Sequence, residues 1–273
     1  MGRYTLNPVM PVLLRPDGTV QVGWDPRRAV SVRPPAGLSP AGLAELLRTL
    51  QSGATLAELR ARFAVDAGEL VASLIDAGVV TTSENRRTRC ASIRIHGRGP
   101  LSDLLAGGLR CSGARVTRSS VTHTAPPDTT DLVVLADFLV ADPWVVRELH
   151  SCGIAHLPVR LRDGAGLVGP LVVPGVTSCL ECADLHRSDR DAAWHAVASQ
   201  LRDTVGSADR ATVLATAALA LNQVDRVIRA VRRGDAVGTA AEPPPTLDTT
   251  LEFDVDAGAI VARRWSRHPR CWC

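Results

Sequence analysis

The sequence predicts an α/β protein in two parts, a small N-terminal module and a larger domain with a mostly parallel sheet. Two observations predict this class: three β-type runs and three helical segments occupy residues 8–78, and strands alternate with helices after residue 90. The chain has 273 residues, of which 45% are hydrophobic, enough for two domains with a sizeable core. We therefore assign residues 1–82 to the module, 83–90 to a polar linker and 91–273 to the α/β domain.

Three β-type runs open the N-terminal module. They lie at residues 10–14, 20–24 and 29–33, and Pro16-Asp-Gly18 and Asp25-Pro26 supply turn residues between them. These runs predict a small sheet.

Three helices follow this sheet. Ser39 before Pro40 predicts the start of the first helix, since serine caps helix N-termini and proline suits the first helical position. Thr55 and Glu58 form a capping box for the second helix, and the third covers residues 66–78. A small sheet followed by three helices is typical of a winged-helix-like module.

The third helix argues against nucleic-acid binding. It carries Asp66, Glu69 and Asp76 and no basic residue, so it would repel phosphates. The net charge of +3 is too small to indicate a nucleic-acid or membrane partner. We expect the module to bind a peptide instead, which can add as a strand to the exposed sheet edge and contact the third helix.

The remaining sequence shows a βαβ rhythm, which means a mostly parallel sheet with helices on its faces. The predicted strands are residues 91–96, 114–117, 131–136 and 156–161, with helices at 101–109 and 143–150. Beyond these we predict helices at residues 191–203 and 209–232 and an antiparallel pair of strands at 249–255 and 259–264.

The loop after the first strand of the α/β domain has the position of a nucleotide-binding fingerprint but departs from its pattern. In Gly97-Arg-Gly99-Pro-Leu-Ser102 a serine replaces the third glycine, and Pro100 removes a backbone donor that would face a phosphate. Residues 117–126 contain no acid to hold a ribose, and all 31 basic residues are arginine, with no lysine to contact phosphates. We expect a degenerate turn, with no ATP bound to this chain.

Four cysteines form two close pairs, Cys179-Leu-Glu-Cys182 and Cys271-Trp-Cys273. Two chelating pairs of thiolates are the pattern of a structural tetrahedral zinc site. The first pair alone would also suit a redox dithiol, but a redox function needs no second pair. We therefore predict one structural Zn²⁺ with four ligands: Cys179, Cys182, Cys271 and Cys273.

Other polar residues near these pairs are expected to lie outside the ligand set. Glu181 and Trp272, inside the pairs, are predicted to point outward. His186 and His268 are close enough in sequence to be considered, but four thiolates already complete a tetrahedral site.

The other three cysteines, Cys90, Cys111 and Cys152, are predicted to be small buried thiols. Seven cysteines is an odd number, which does not favour a disulfide framework. Residues 1–20 contain no signal-type apolar run, and the uncharged stretch at 211–221 includes too few residues for a membrane span. The sequence therefore predicts a cytoplasmic protein.

Charged residues cluster in two further places. Those at 184–191 alternate in sign, which favours local salt bridges and helix caps over a catalytic acid/base pair. Arg263, Arg264, Arg267 and Arg270 form a basic segment that suits a solvated rim or an acidic partner protein. No catalytic residue is predicted, since no Ser/His/Asp or Cys/His arrangement has a supporting context.

Three stretches of the sequence resemble a known family: residues 168–175, 179–194 and 265–273. They look like the ThiF-like subunit of azoline-forming cyclodehydratases, the leader-peptide-binding component in the biosynthesis of thiazole/oxazole-modified peptides (TOMMs). The resemblance covers nearly the whole chain. It implies an N-terminal winged-helix-like element similar to PqqD, a Rossmann-type α/β domain related to ubiquitin-activating and ThiF adenylating enzymes, and four cysteines that hold zinc.

The resemblance also implies a division of labour in the biosynthesis of ribosomal peptide products such as bacteriocins. This chain would bind the leader of a precursor peptide and present the core to a YcaO-type cyclodehydratase, which uses ATP to form azolines from Cys, Ser or Thr. By itself the chain would be non-catalytic, and the resemblance leaves a homodimer open. The alternative is an ATP-dependent adenylating enzyme that acts on a peptide, distinguished by ATP consumption without a partner.

Carried onto this sequence, the resemblance places the leader along the third strand and against the third helix. Arg28 and Arg33 are expected to hold acidic leader residues. These positions follow from the geometry of the module, not from the shared motif. The expected peptide-binding residues are Arg28, Ala29, Val30, Ser31, Val32, Arg33, Leu70, Ser73 and Leu74.

Overall fold

The structure, a computed structural model, describes residues 2–83, 89–120, 130–238 and 243–273. It contains two compact units, Met1–Arg87 and Thr88–Cys273. Residues 84–88 of the predicted linker and residues 121–126 of the segment without acids lie outside the described residues.

The N-terminal unit contains two small antiparallel sheets. Strands β2 (Val12–Leu14), β3 (Val20–Val22) and β4 (Val30–Val32) form the first, in that order, so that β4 lies at an edge. Strands β1 (Arg3–Leu6) and β5 (Val80–Ser83) form the second. The three predicted runs are confirmed, but β1 and β5 are additional, and β5 includes the first residue assigned to the linker.

Three helices complete this unit: α1 (Pro40–Gln51), α2 (Leu56–Phe63) and α3 (Gly68–Asp76). The leucines of α1 recur at helical spacing and pack with the buried valines of β3. The fully buried members of this core include Val20, Val22, Leu43, Leu46, Leu47 and Leu50.

Both predicted caps are present. The Ser39 hydroxyl accepts a hydrogen bond from the Gly42 N–H at 3.1 Å. The capping box at α2 is reciprocal: Thr55 Oγ1 accepts from the Glu58 N–H at 3.2 Å, and the Glu58 carboxylate accepts from the Thr55 N–H at 2.8 Å. Local side-chain chemistry therefore sets where these helices begin.

The second unit contains a seven-stranded sheet. Its strands are β6 (Ser92–His96), β7 (Arg115–Ser119), β8 (Leu132–Ala136), β9 (His156–Arg162), β10 (Ala165–Val168), β11 (Thr249–Asp254) and β12 (Ala259–Arg264). Their order is β12-β11-β10-β9-β8-β6-β7.

This sheet is mixed, not mostly parallel as predicted. Strands β6 to β9 pair in parallel, while β9 to β12 pair antiparallel. The change of direction comes from Asp163 and Gly164, which have positive φ values of 50° and 83° and turn β9 directly back into β10. The sequence pattern gave no separate signal for β10, but the predicted pair β11 and β12 is confirmed.

The helices of this unit are α4 (Pro100–Gly108), α5 (Pro143–Ser151), α6 (Leu180–Ser188), α7 (Trp194–Leu201) and α8 (Arg210–Arg233). Helices α4 and α8 cover one sheet face through the main core, and α5 covers the other through Val145 and Leu149. Helix α6 was not predicted as a separate element. Among the described residues, no helix combines the length and apolar character that crossing a bilayer requires.

Candidate metal centre

The four paired cysteines converge although the two pairs lie far apart in sequence. The Cys179 sulfur lies 3.7 Å from that of Cys182 and 3.5 Å from that of Cys271, and the Cys182 sulfur lies 3.4 Å from that of Cys273. All four sulfur atoms lie within 4.8 Å of one another. A disulfide would need about 2.05 Å, so these are four free cysteines.

The cluster fits a tetrahedral metal ion. Zinc–sulfur bonds of about 2.3 Å place the sulfur atoms of a tetrahedral site about 3.8 Å apart, close to the observed contacts of 3.4 to 3.7 Å. Four sulfur donors favour a soft or borderline ion over magnesium or calcium. Because four protein ligands fill the coordination sphere, the ion would be structural.

Helix α6 positions the first pair. Cys179 is its N-cap residue and Cys182 lies in its first turn, where the positive end of the helix dipole favours a thiolate. Burial raises the pKa of Cys179 well above its ordinary value and that of Cys271 to about 11. A bound cation would reverse this preference for the neutral thiol, since metal binding displaces the proton.

Polar contacts attach the second pair to the end of α6. His268 is only 5% exposed; its Nε2 lies 2.8 Å from an Asp189 carboxylate oxygen, and its Nδ1 accepts a hydrogen bond from the Arg270 N–H at 3.1 Å. Arg270 also pairs with Asp189, and His186 Nε2 lies 3.1 Å from the Ser266 carbonyl oxygen. Both histidines thus lie outside the sulfur cluster, as predicted, and hold the segment that delivers Cys271 and Cys273.

Arg187 adds a second attachment. Its guanidinium lies 5.0 Å from the ring centroid of Trp194 and 5.1 Å from that of Trp265, and it donates a hydrogen bond to Asp184 at 2.8 Å. Trp194 Nε1 donates to the same carboxylate at 3.2 Å. A local salt bridge in this charged stretch, as predicted, is confirmed between Arg187 and Asp184. The contact of Arg187 with Trp265 joins α6 to the residue that follows β12.

Of the remaining predictions about and near the cysteines, one is confirmed and one is wrong. Glu181 is exposed and Trp272 is 101% exposed, so both point outward as predicted. Cys90, Cys111 and Cys152 are exposed, so the prediction of buried thiols was wrong. They lie at or beyond the ends of β6, α4 and α5, where the chain faces solvent.

The loop between β6 and α4 lies against a buried carboxylate that the sequence patterns did not single out. Asp137 follows β8 and is 1% exposed. Its Oδ1 accepts hydrogen bonds from the Leu101 N–H at 2.9 Å and, more weakly, from the Ser102 N–H at 3.4 Å. The carboxylate therefore occupies the positive end of α4, where a nucleotide-binding fold would place a phosphate.

Close packing explains the glycines of this loop. A Cβ atom on Gly97 would lie 2.5 Å from the Ala136 carbonyl oxygen, and one on Gly99 would lie 2.8 Å from the Asp137 carboxylate. The Ser102 hydroxyl accepts from the Gly99 N–H at 3.1 Å and donates to the Gly99 carbonyl at 2.9 Å. The two glycines therefore allow the loop to pack closely against the end of β8 and the residue that follows it.

The expected peptide-binding residues lie on β4 and α3 of the N-terminal unit. Along β4 and its flanks, Arg28, Ser31 and Arg33 are exposed. On α3, Ser73 is exposed and Leu70 is partly buried. Four others are less accessible: Ala29 and Val30 are partly buried, while Val32 and Leu74, at 9% and 1% exposure, belong to the core.

Comparisons with known proteins support the fold. Neither a family model nor a curated protein sequence matches the chain. A heterocyclase in complex with substrate and cofactor is 14% identical, with a TM-score of 0.68 over 100% of this chain and 39% of that chain. The heterocyclase TruD is 17% identical, with a TM-score of 0.67 over 100% and 42% of the two chains. Escherichia coli MccB with ATP is 14% identical, with a TM-score of 0.58 over 99% of each chain.

These similarities confirm, at the level of fold, the resemblance carried by the motifs around the cysteines. The chain spans about two fifths of the length of the heterocyclase chains, 39% of the first and 42% of TruD. It matches nearly the full length of MccB.

Proposed function

We propose that this chain is the leader-peptide-binding component of an azoline-forming system, in which a separate YcaO-type cyclodehydratase carries out the chemistry. The observation that supports this most is the position of β4 at the edge of the N-terminal sheet, with exposed side chains along it. The fold shared with two heterocyclase chains adds support.

An edge strand can recruit a peptide through its main chain. Its outward-facing N–H and C=O groups offer the hydrogen bonds of a further strand, while neighbouring side-chain positions provide selectivity. The unit that contains β4 has two small sheets and three helices, which suits a winged-helix-like, PqqD-type recognition module. Val30 and Leu70 pack against one common core, so a peptide strand beside β4 would meet a preformed surface.

The charge of the proposed surface favours acidic peptides. Arg28 and Arg33 flank β4 and are exposed, so acidic leader residues are the chemistry they would select. Leu74 lies in the core, so we assign it the role of holding α3 in place and give direct contact to Leu70 and Ser73.

The cysteine cluster would supply stability. With one Zn²⁺ bound by Cys179, Cys182, Cys271 and Cys273, the segment after β12 would be tied to α6 by metal bonds. Such a site contributes folding free energy directly. The ion takes no part in heterocycle formation under this proposal.

The benefit to the partner enzyme is effective concentration. A tethered leader makes attack on successive core residues intramolecular, which raises the local concentration of substrate. The Asp137 carboxylate at the start of α4 favours this non-catalytic role over the alternative of an adenylating enzyme, because it occupies the place where phosphate would be held.

Binding of labelled peptides tests the proposal. Fluorescence anisotropy with a panel of fluorescein-labelled synthetic leaders, taken from short precursor reading frames beside the gene, should give saturable binding for at least one peptide. Arg33→Glu should weaken it at least tenfold, whereas Arg60→Glu, an exposed arginine on α2, should not. Equal losses for both variants, or no binding by any leader, would contradict the proposal.

ATP turnover separates the two candidate functions. The purified chain mixed with its bound leader peptide should release neither AMP nor ADP until the YcaO-type partner is added. Release of AMP by the chain alone would favour the adenylating alternative.

A further inference from the structure

The α/β unit contains a cavity of about 230 Å³ at the carboxyl ends of its parallel strands. A single water molecule needs a space of roughly 10–15 Å³, so the cavity admits a small ligand. His96 at the end of β6 lies beside Leu135, which lies beside Pro158 of β9, and all three line the cavity. Leu135 packs with α5, so the cavity lies on the sheet face opposite α4.

Two arginines, Arg160 and Arg202, lie in the cavity wall. Among the described residues, neither Arg160 nor Arg202 forms a hydrogen bond or an ion pair within 4.0 Å, and the Arg202 Nε atom is buried. Burial, followed by repulsion from Arg187, lowers the pKa of Arg160 to about 10, so the group stays charged near neutral pH. Both arginines are partly buried. A partly desolvated guanidinium without an acceptor costs free energy, which a bound anion would offset.

The carboxylates of the wall do not fill this role. Asp142 is engaged at the start of α5, where it accepts a hydrogen bond from the Trp144 N–H at 2.8 Å. Asp203 also lines the cavity, yet among the described residues it too lies beyond ion-pair distance of both arginines. The cavity therefore contains donors that its own acids leave unused.

Main-chain contacts hold the segment that carries Arg202 in place. Phe138 and Val205 form a β-bridge, and the Leu139 N–H donates to the Thr204 carbonyl at 2.9 Å. The Gly206 N–H donates to the Asp137 carbonyl at 3.0 Å. These contacts hold the segment that carries Arg202 against the loop after β8, while Arg160 is held within strand β9. The backbone therefore fixes the positions from which both arginines line the cavity.

We propose that this cavity binds a small oxyanion, a carboxylate or a phosphate group, through Arg160 and Arg202. The planar guanidinium matches both groups with paired hydrogen bonds. The carboxyl ends of strands are also where open α/β sheets bind ligands. The site is separate from the N-terminus of α4, and it does not depend on peptide binding by the other unit.

Calorimetric titration of the full chain tests this site. Inorganic phosphate and acetate are titrated separately, with ionic strength held constant by sodium chloride. At least one of them should bind saturably with one site per chain, and Arg160→Gln should weaken that binding at least tenfold. Arg110→Gln, an exposed arginine after α4, should bind as the wild type does.

The two anions distinguish the sources of the ligand. Binding of phosphate alone assigns a phosphate-bearing ligand, and binding of acetate alone assigns a carboxylate. Arg202→Gln replaces Arg160→Gln if the latter fails to fold by circular dichroism. Absence of saturable binding for both anions, or equal affinity in the Arg160 and Arg110 variants, would overturn the proposal.

Discussion

The cysteine cluster and the turn between β6 and α4 lie in the same unit and are completed in opposite ways. At the cluster, four sulfur atoms converge at distances that suit a central cation. At the turn, the backbone N–H groups that could receive a phosphate already donate to the Asp137 carboxylate. The first site has the arrangement of a metal centre that could hold a cation, whereas the second has its anion supplied by Asp137.

The contrast shows that a motif's position does not determine its role. The glycine-containing turn follows the first parallel strand, as a nucleotide loop does, but a residue 36 positions away supplies its anion. The cysteine pairs are further apart in sequence, since Cys179 and Cys271 are separated by 92 positions, yet side chains of α6 hold them together. The chemistry of each site thus depends on residues that are distant in sequence and that the local motif does not contain.

Removing the second cysteine pair should give the largest effect. Cys271→Ser combined with Cys273→Ser would leave two ligands, and we expect a loss of at least about 3 kcal/mol in unfolding free energy because structural zinc contributes to folding directly. Thermal and urea unfolding in reducing buffer measure this loss. Cys152→Ser, an exposed thiol outside the cluster, is the control; a double variant as stable as this control would show that the cluster binds no structural ion.

Replacing Asp137 should give an intermediate effect. Asp137→Asn keeps a side chain that tolerates the positive φ of 75° at this position but removes the charge at the end of α4. We expect a loss of about 1.5–3 kcal/mol, the range for hydrogen bonds to a charged group, measured by urea unfolding. Asp103→Asn, an exposed acid in the first turn of α4, should cost far less.

If the two aspartate variants were equally stable, Asp137 would not complete the turn. In that case the α4 N-terminus would again be open to a phosphate, and the contrast with the cysteine cluster would disappear.

Replacing Arg187 should give the smallest effect. Arg187→Gln removes the stacking on Trp194 and Trp265, and we expect a loss of about 1 kcal/mol, in keeping with partly exposed cation–π contacts. Urea unfolding measures this change, with the exposed Arg190→Gln as the matched variant. Metal content should stay at the wild-type level; loss of the ion would mean that these rings, and not the four sulfur atoms alone, decide metal binding.

Local signals in the sequence predicted most elements of the fold. The capping box at Thr55 and the apolar strand at 131–136 needed only their own residues, and both are confirmed. Strands β1, β5 and β10 were missed. Their partners, not their composition, stabilise them.

The candidate sites were predictable to different degrees. The clustering of the four cysteines was predicted from their spacing, since two chelating pairs have few other uses. Asp137 had only one signal, its position directly after a buried parallel strand, where side chains meet at the sheet edge. Arg160 and Arg202 could not be paired from sequence, because the cavity forms only when the segment after α7 bridges to the loop after β8.

Metal content is the most direct test of the structural role assigned to the cysteines. Atomic emission analysis of the wild-type chain, purified under reducing conditions without added chelator, should find one zinc per chain, and the Cys271→Ser, Cys273→Ser double variant should contain none. A wild-type chain free of metal, or a double variant that retains one zinc per chain, would contradict the assignment of these four cysteines as the structural metal site.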